Sequence, residues 1–294
     1  MSLNKPIYKL RDWIDITKLN KVGLSLNPNA IDFLKANDNY IDWCALSLNP
    51  NAIELLKVNQ DKIDWYYLSC NCNAIELLKE NVNKIKWFWI SSNPNAIELL
   101  EKNFNKINWS YISRNINAIH IIKDNLDNID WSELSLNSNA IEILKNNQDK
   151  INFELLSSNP NAINLLKENF DKIDWTEISL NPNAIDLIEK NLNKINFELL
   201  SLNPNAIHLL EKNFDKIDWY YLSENPNAIK LLEKNKDKIN WSKLSTNPSI
   251  FELDYQAMKI ANYDIYEELI KEVMKPSRIF KNPNYDYIEE LFGD

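Results

Sequence analysis

Apolar residues fall in two short bursts that recur every 22 residues. In the stretch beginning at Asn49, the first burst is Ala52, Ile53, Leu55 and Leu56, and the second is Ile63, Trp65 and Leu68. The first has the i, i+3, i+4 spacing of one face of a short helix, and the polar residues between fall on the other face. The phrase N-x-N-A-I begins at Asn27, Asn49, Asn71, Asn93, Asn115, Asn137, Asn159, Asn181, Asn203 and Asn225, so ten copies fill 27–246 without insertion. A unit this small cannot bury its own apolar face and must stack on its neighbours, which is the logic of a solenoid.

Positions are numbered here from the first Asn of each copy. Asn followed by Pro, as in Asn49-Pro50, reads as a helix start: the side chain caps an orphan N–H and Pro loses no hydrogen bond. Asn at position 11 (Asn37, Asn59 and onward) reads as a left-handed C-cap, and Asp or Asn at position 13, such as Asp61, as the N-cap of a second helix. Position 15 is always Ile, position 17 is Trp or Phe (Phe153 and Phe197), position 20 is Leu or Ile and position 21 is always Ser. The expected fold is an all-α solenoid of ten repeats, each of two short helices, the second partly 3₁₀. Residues 1–26 read as an N-terminal cap in which Lys21 takes the Trp place. Residues 247–294 read as a C-terminal helical cap, its helices ended by Pro276, with an acidic tail.

The stretch WCALSLNPNAI from Trp43 also fits the leucine-rich repeat consensus. Its third apolar site would hold Arg114 in one copy and Glu224 in another, and burying an unpaired charge in a strand-lined core is costly. The helical reading is preferred on that ground.

The alternation of W-x-x-L-S-x-N-P with A-I-x-L-L-K-x-N-x-D resembles the leucine-rich repeat variant, a solenoid of alternating α and 3₁₀ helices. The longer phrase NPNAIELLKENxDKIxWxxLS, with NPSIFELDY and KPSRIF further on, resembles repeat proteins encoded in families by giant DNA viruses of amoebae. That likeness covers about residues 20–280. It implies a viral protein in the host cytoplasm or the virion and carries over no catalytic residues.

Composition narrows the function. Two glycines in 294 residues exclude Gly-rich phosphate loops. A net charge of −9 argues against a general polyanion binder. No apolar run reaches the length of a membrane span, and MSLNKPIYKLRDW lacks the apolar core of a secretory signal, so a soluble, non-secreted protein is expected. Cys44, Cys70 and Cys72 are too few for a disulfide framework and fit a reducing compartment.

Identical units stack like groups into ladders, whereas catalysis needs unlike groups that converge. His120 and His208 share repeat position 6, four repeats apart, and Cys70-x-Cys72 has no second pair. No enzyme activity, metal or cofactor is expected. Lys at position 14 (Lys62, Lys84, Lys106, Lys150, Lys172, Lys194, Lys216, Lys238) forms a column that a single nucleic-acid strand could follow, although neighbouring Asp residues offset it. The Asn column at position 11 (Asn37, Asn59) and the Ser column at position 21 (Ser47, Ser69) read as satisfying helix-end backbone groups. Positions 18 and 19 vary most, and there Tyr66, Tyr67, Phe88, Trp89, Tyr111, Tyr220 and Tyr221 place aromatic side chains of the kind enriched at interface hot spots. The expected function is a non-enzymatic scaffold that binds a protein partner through these residues. A single-stranded nucleic-acid-binding solenoid and a structural virion component are the alternatives.

Overall fold

The computed structural model describes residues 6–263 together with 267, 270, 271, 274 and 275. The chain divides into two compact units, residues 10–251 and the pair of segments 1–9 and 252–294.

In the large unit most repeats are a short helix, a 3₁₀ turn and a second short helix, as in Ile53–Lys57, Gln60–Lys62 and Trp65–Cys70, and in two repeats a plain turn joins Ile119–Lys123 to Trp131–Leu136 and Ile185–Glu189 to Phe197–Leu202. The second helix is α in most repeats and 3₁₀ at Glu177–Leu180. Asn49 Oδ1 accepts from the Asn51 N–H at 3.0 Å, a turn that feeds the chain into the first helix three residues after Pro50.

Three expected caps sit elsewhere. Asn49 caps that turn and not the helix itself, whose N-cap position is Ala52, because the turn takes up Pro50 and Asn51 before the helix begins. Asn59 is not left-handed: its φ is −130° and its ψ 46°, and among the described residues no φ is positive. Its side chain instead reaches back, Nδ2 donating to the Leu55 carbonyl at 2.9 Å, which satisfies an orphan carbonyl without the αL turn. Asp61 lies within the 3₁₀ turn, and the cap of the second helix is Asp64, whose Oδ1 accepts from the Tyr66 and Tyr67 N–H groups.

The core lies between the two helical layers. Ala52, Leu56 and Leu68 are fully buried, as are their counterparts through the stack, and at about 25 cal/mol per Å² this burial is the main favourable term. The aromatic at position 17 stays half-buried, with the Lys of the following repeat on its face: Lys62 Nζ is 4.6 Å from the Trp43 ring, Lys84 4.3 Å from Trp65 and Lys106 4.6 Å from Trp87. The Lys column is thus built into the joints between repeats.

Two buried polar ladders fix the spacing. Asn49 Nδ2 donates to the carbonyls of Ser25 at 2.8 Å and Asn27 at 2.9 Å, and Asn71 repeats this with Ser47 and Asn49. The Ser47 hydroxyl donates to the Trp43 carbonyl and accepts from the Asp64 N–H of the next repeat. Every buried polar group left unpaired would cost about 1–3 kcal/mol, so a repeat can stack in one register only.

The ladder has no end. Asn27 Nδ2 donates to the carbonyls of Ser245 at 3.1 Å and Asn247 at 2.9 Å, and the Asn20 N–H donates to the Ser245 hydroxyl at 3.0 Å. Asn29 donates to the Pro248 carbonyl, Lys18 sits over the Trp241 ring at 4.9 Å, and the Arg11 side chain and N–H reach the carbonyls of Ser249 and Ile250. Apart from those of Arg11, these are the contacts that a repeat makes with the one before it, now made between residues 18–29 and 241–248. Segments that read as two separate caps form, in this unit, two sides of one seam. Residues 10–26 take the place of an eleventh repeat, with Asn20 capping Lys21–Leu26 through Gly23 N–H, and the large unit is a closed ring that turns about 33° per repeat.

Gly23 lies at the seam. A Cβ there would stand 2.5 Å from the Ser245 Cβ and 3.2 Å from its carbonyl carbon, so the approach admits only glycine.

Strands Tyr8–Leu10 and Phe251–Leu253 pair as a two-stranded sheet. Lys9 pairs with Glu252, the Asp254 N–H donates to the Ile7 carbonyl, and Asp254 then caps helix Tyr255–Ala261. Pro276 and the acidic tail lie outside the described residues.

Candidate recognition face

The helices that begin at position 17 approach their neighbours around the ring more closely than the helices at positions 5–10 do. The closely spaced layer is the concave one. On such a helix positions 20 and 21 face the core, and positions 18, 19 and 22 lie on the opposite side, toward the ring axis. Eleven helices at ~8–10 Å spacing set their axes on a circle of roughly 14–17 Å radius, and side chains reaching ~5–6 Å from each axis leave a lumen roughly 20 Å across. That admits one peptide chain and little more.

Five of the aromatics singled out in the sequence meet on this face. Tyr66 packs on Trp89 with ring centroids 4.7 Å apart, Phe88 on Tyr111 at 4.2 Å and Trp89 on Tyr111 at 5.1 Å, while edge-to-face pairs within each repeat (Tyr66 with Tyr67, Phe88 with Trp89) complete the cluster. Tyr66, Tyr67 and Phe88 remain 42%, 41% and 47% exposed, whereas Trp89 and Tyr111 are half-buried between layers. Partial burial, with the neighbouring phenols of Tyr67 and Tyr111, holds the Tyr66 phenol above its ordinary range. Tyr220 and Tyr221 lie apart from this cluster, as an edge-to-face pair beside the seam, with Lys243 Nζ 5.1 Å from the Tyr220 ring.

The same face carries charge that the sequence did not single out. Arg114 pairs with Glu133 of the next repeat, and Lys243 with Glu224 of the one before at 2.8 Å. Between these pairs, Glu154, Glu177 and Glu198 come from three consecutive repeats. The Glu177 carboxyl is pushed above the usual carboxylate range, first by burial and then by Asp174 and Glu154. The residues were visible as variable positions, but their grouping opposite an aromatic arc follows from ring closure, which one linear period does not announce.

The remaining candidates do not converge. His120 Nε2 lies 2.9 Å from Glu101 on the convex layer, the three cysteines are free, and among the described residues no group of three or more metal-ligating side chains forms. No helix of the described residues is long and apolar enough to cross a membrane. No family model, curated protein or solved structure matches this chain.

Proposed function

We propose that the protein is a non-enzymatic recognition scaffold whose concave helical face binds a protein partner through Tyr66, Tyr67, Phe88, Trp89 and Tyr111. The observation that carries this reading is an exposed cluster of large aromatics the core does not need, since the core is filled by Ala, Leu and Ile of the framework positions. Such residues keep few rotamers and offer large area, which suits them to interface hot spots. Tyr220 and Tyr221 form a second, smaller contact in the same proposal. The resemblance to virus-encoded repeat proteins supplies its setting, a viral or host partner met in host cytoplasm or in the particle.

The alternative of a nucleic-acid strand along the Lys column is weaker, because those ammonium groups lie on aromatic faces beside Asp residues such as Asp61 and Asp215. The test is selection of peptides from a diverse display library on the immobilised protein, repeated with the Y67S/W89S/Y111S variant. Enriched peptides should lose at least about tenfold in affinity for the variant. Failure to enrich, or equal binding by the variant, would overturn the reading.

A further inference from the structure

We propose that the occupant of the ring is a cationic peptide segment, its Lys or Arg side chains shared between the Tyr66–Tyr111 aromatic arc and the carboxylates of Glu154, Glu177 and Glu198. The proposal rests on the recognition reading above and adds the chemistry of the partner. Both positive groups described on the concave face are already engaged, Arg114 by Glu133 and Lys243 by Glu224, so the three remaining carboxylates face the lumen with no ion pair among the described residues.

The convex layer shows the contrast. There Glu54, Glu76, Glu98 and Glu142 each lie 2.6–3.2 Å from a Lys of their own helix. On the concave face three carboxylates from consecutive repeats stand across the lumen from the aromatics without an ion pair among the described residues. Guanidinium and ammonium groups suit both walls, stacking on aromatic faces and pairing with carboxylates. The raised Glu177 carboxyl fits a site whose charge a ligand would offset. A lumen of this width takes one extended chain or one helix and excludes a folded domain. Because the ring has no gap among the described residues, the segment enters by a terminus or as an unfolded stretch.

The test uses fluorescence anisotropy with a labelled 12-residue peptide of alternating Arg and Gly, and the same peptide with Gln for Arg, at physiological salt. Three variants are compared with the unaltered protein: E154Q/E177Q/E198Q on the concave face, E54Q/E76Q/E142Q on the convex face with the same change in net charge, and Y67S/W89S/Y111S. All the replaced carboxylates are at least partly exposed, and a thermal melt confirms each fold. The Arg peptide should bind the unaltered protein, weaken by about tenfold or more in the concave triple and in the aromatic variant, and change less than about twofold in the convex triple. Equal weakening by the two Gln triples, equal binding of the neutral peptide, or no binding of the Arg peptide would each overturn the proposal. Display-selected neutral peptides that still depend on Tyr67, Trp89 and Tyr111 would overturn it while leaving the recognition reading standing.

Discussion

Asn27 donates to the carbonyl of Asn247 at 2.9 Å across 220 residues of chain, and Asn49 donates to the carbonyl of Asn27 at the same distance across 22. The seam is therefore a joint of the same kind as the others, and it should cost as much to break. Asn27→Ala and Asn137→Ala each remove two buried donors and a turn cap. Each should lower the unfolding free energy by about 2–4 kcal/mol in urea titrations. A loss at Asn27 below about 1 kcal/mol, with the full loss at Asn137, would show a ring that stands open in solution.

Gly23→Ala tests the seam from the steric side. Alanine is the better helix former by about 1 kcal/mol, yet here its Cβ meets the Ser245 Cβ. The variant should be less stable by about 1–3 kcal/mol, with faster amide exchange confined at first to 20–29 and 241–250. Ala45, at the same place one repeat later, is native evidence that the position tolerates a Cβ away from the seam.

Framework and face should separate in a melt. Ile90→Ala removes a fully buried side chain and should cost about 3–4 kcal/mol. The triple Y67S/W89S/Y111S replaces partly exposed rings that lean on each other, so each ring should cost less than Ile90 does. A per-residue loss equal to that of Ile90 would make the cluster packing rather than a binding surface.

Glu177 gives the stability a pH dependence of known sign. Its folded pKa lies above its unfolded value, so the folded state holds the proton more tightly, and stability falls as pH rises through the folded pKa. E177Q should be more stable than the native protein at pH 7. The difference should vanish as pH drops below the usual glutamate range, where both forms are neutral. A variant that is less stable at pH 7 would contradict this.

Single-stranded RNA and DNA should bind no tighter than about 10 μM at physiological salt. Lys84→Met, which removes a cation from the Trp65 face, should instead show as a stability loss of about 0.5–1 kcal/mol. Submicromolar binding lost on replacing Lys62, Lys84 and Lys106 by Glu would restore the nucleic-acid alternative.

Much of this fold was legible because one set of residues does one job many times. The period, the two apolar layers and the role of the Ser ladder follow from residue type and spacing, whereas the ladder that joins the repeats through Asn49 and Asn71 does not, because an Asn before Pro equally suits a helix cap. Asp61 and Asp64 are both acidic and three residues apart, and only backbone geometry makes the second the cap. Residue type suits Asn59 to a left-handed cap, whereas here its amide bonds its own helix. Closure was hidden because residues 10–26 lack the N-P-N phrase and place Lys21 where Trp belongs; Gly23 was its one sequence signal. The candidate aromatics were legible as variable positions, but the acidic arc was not, since neighbours across a lumen are distant in sequence.

A chain that bites its own tail also fixes how it can evolve. An open solenoid gains or loses a unit at little cost, because only its length changes. Here one more unit would require every joint to relax from about 33° to about 30°, shared among buried Asn and Ser bonds that tolerate little play. Duplication, the ordinary route by which such arrays grow, is therefore blocked by arithmetic. The repeat number becomes a quantised property, and variation is pushed into the side chains that line the hole.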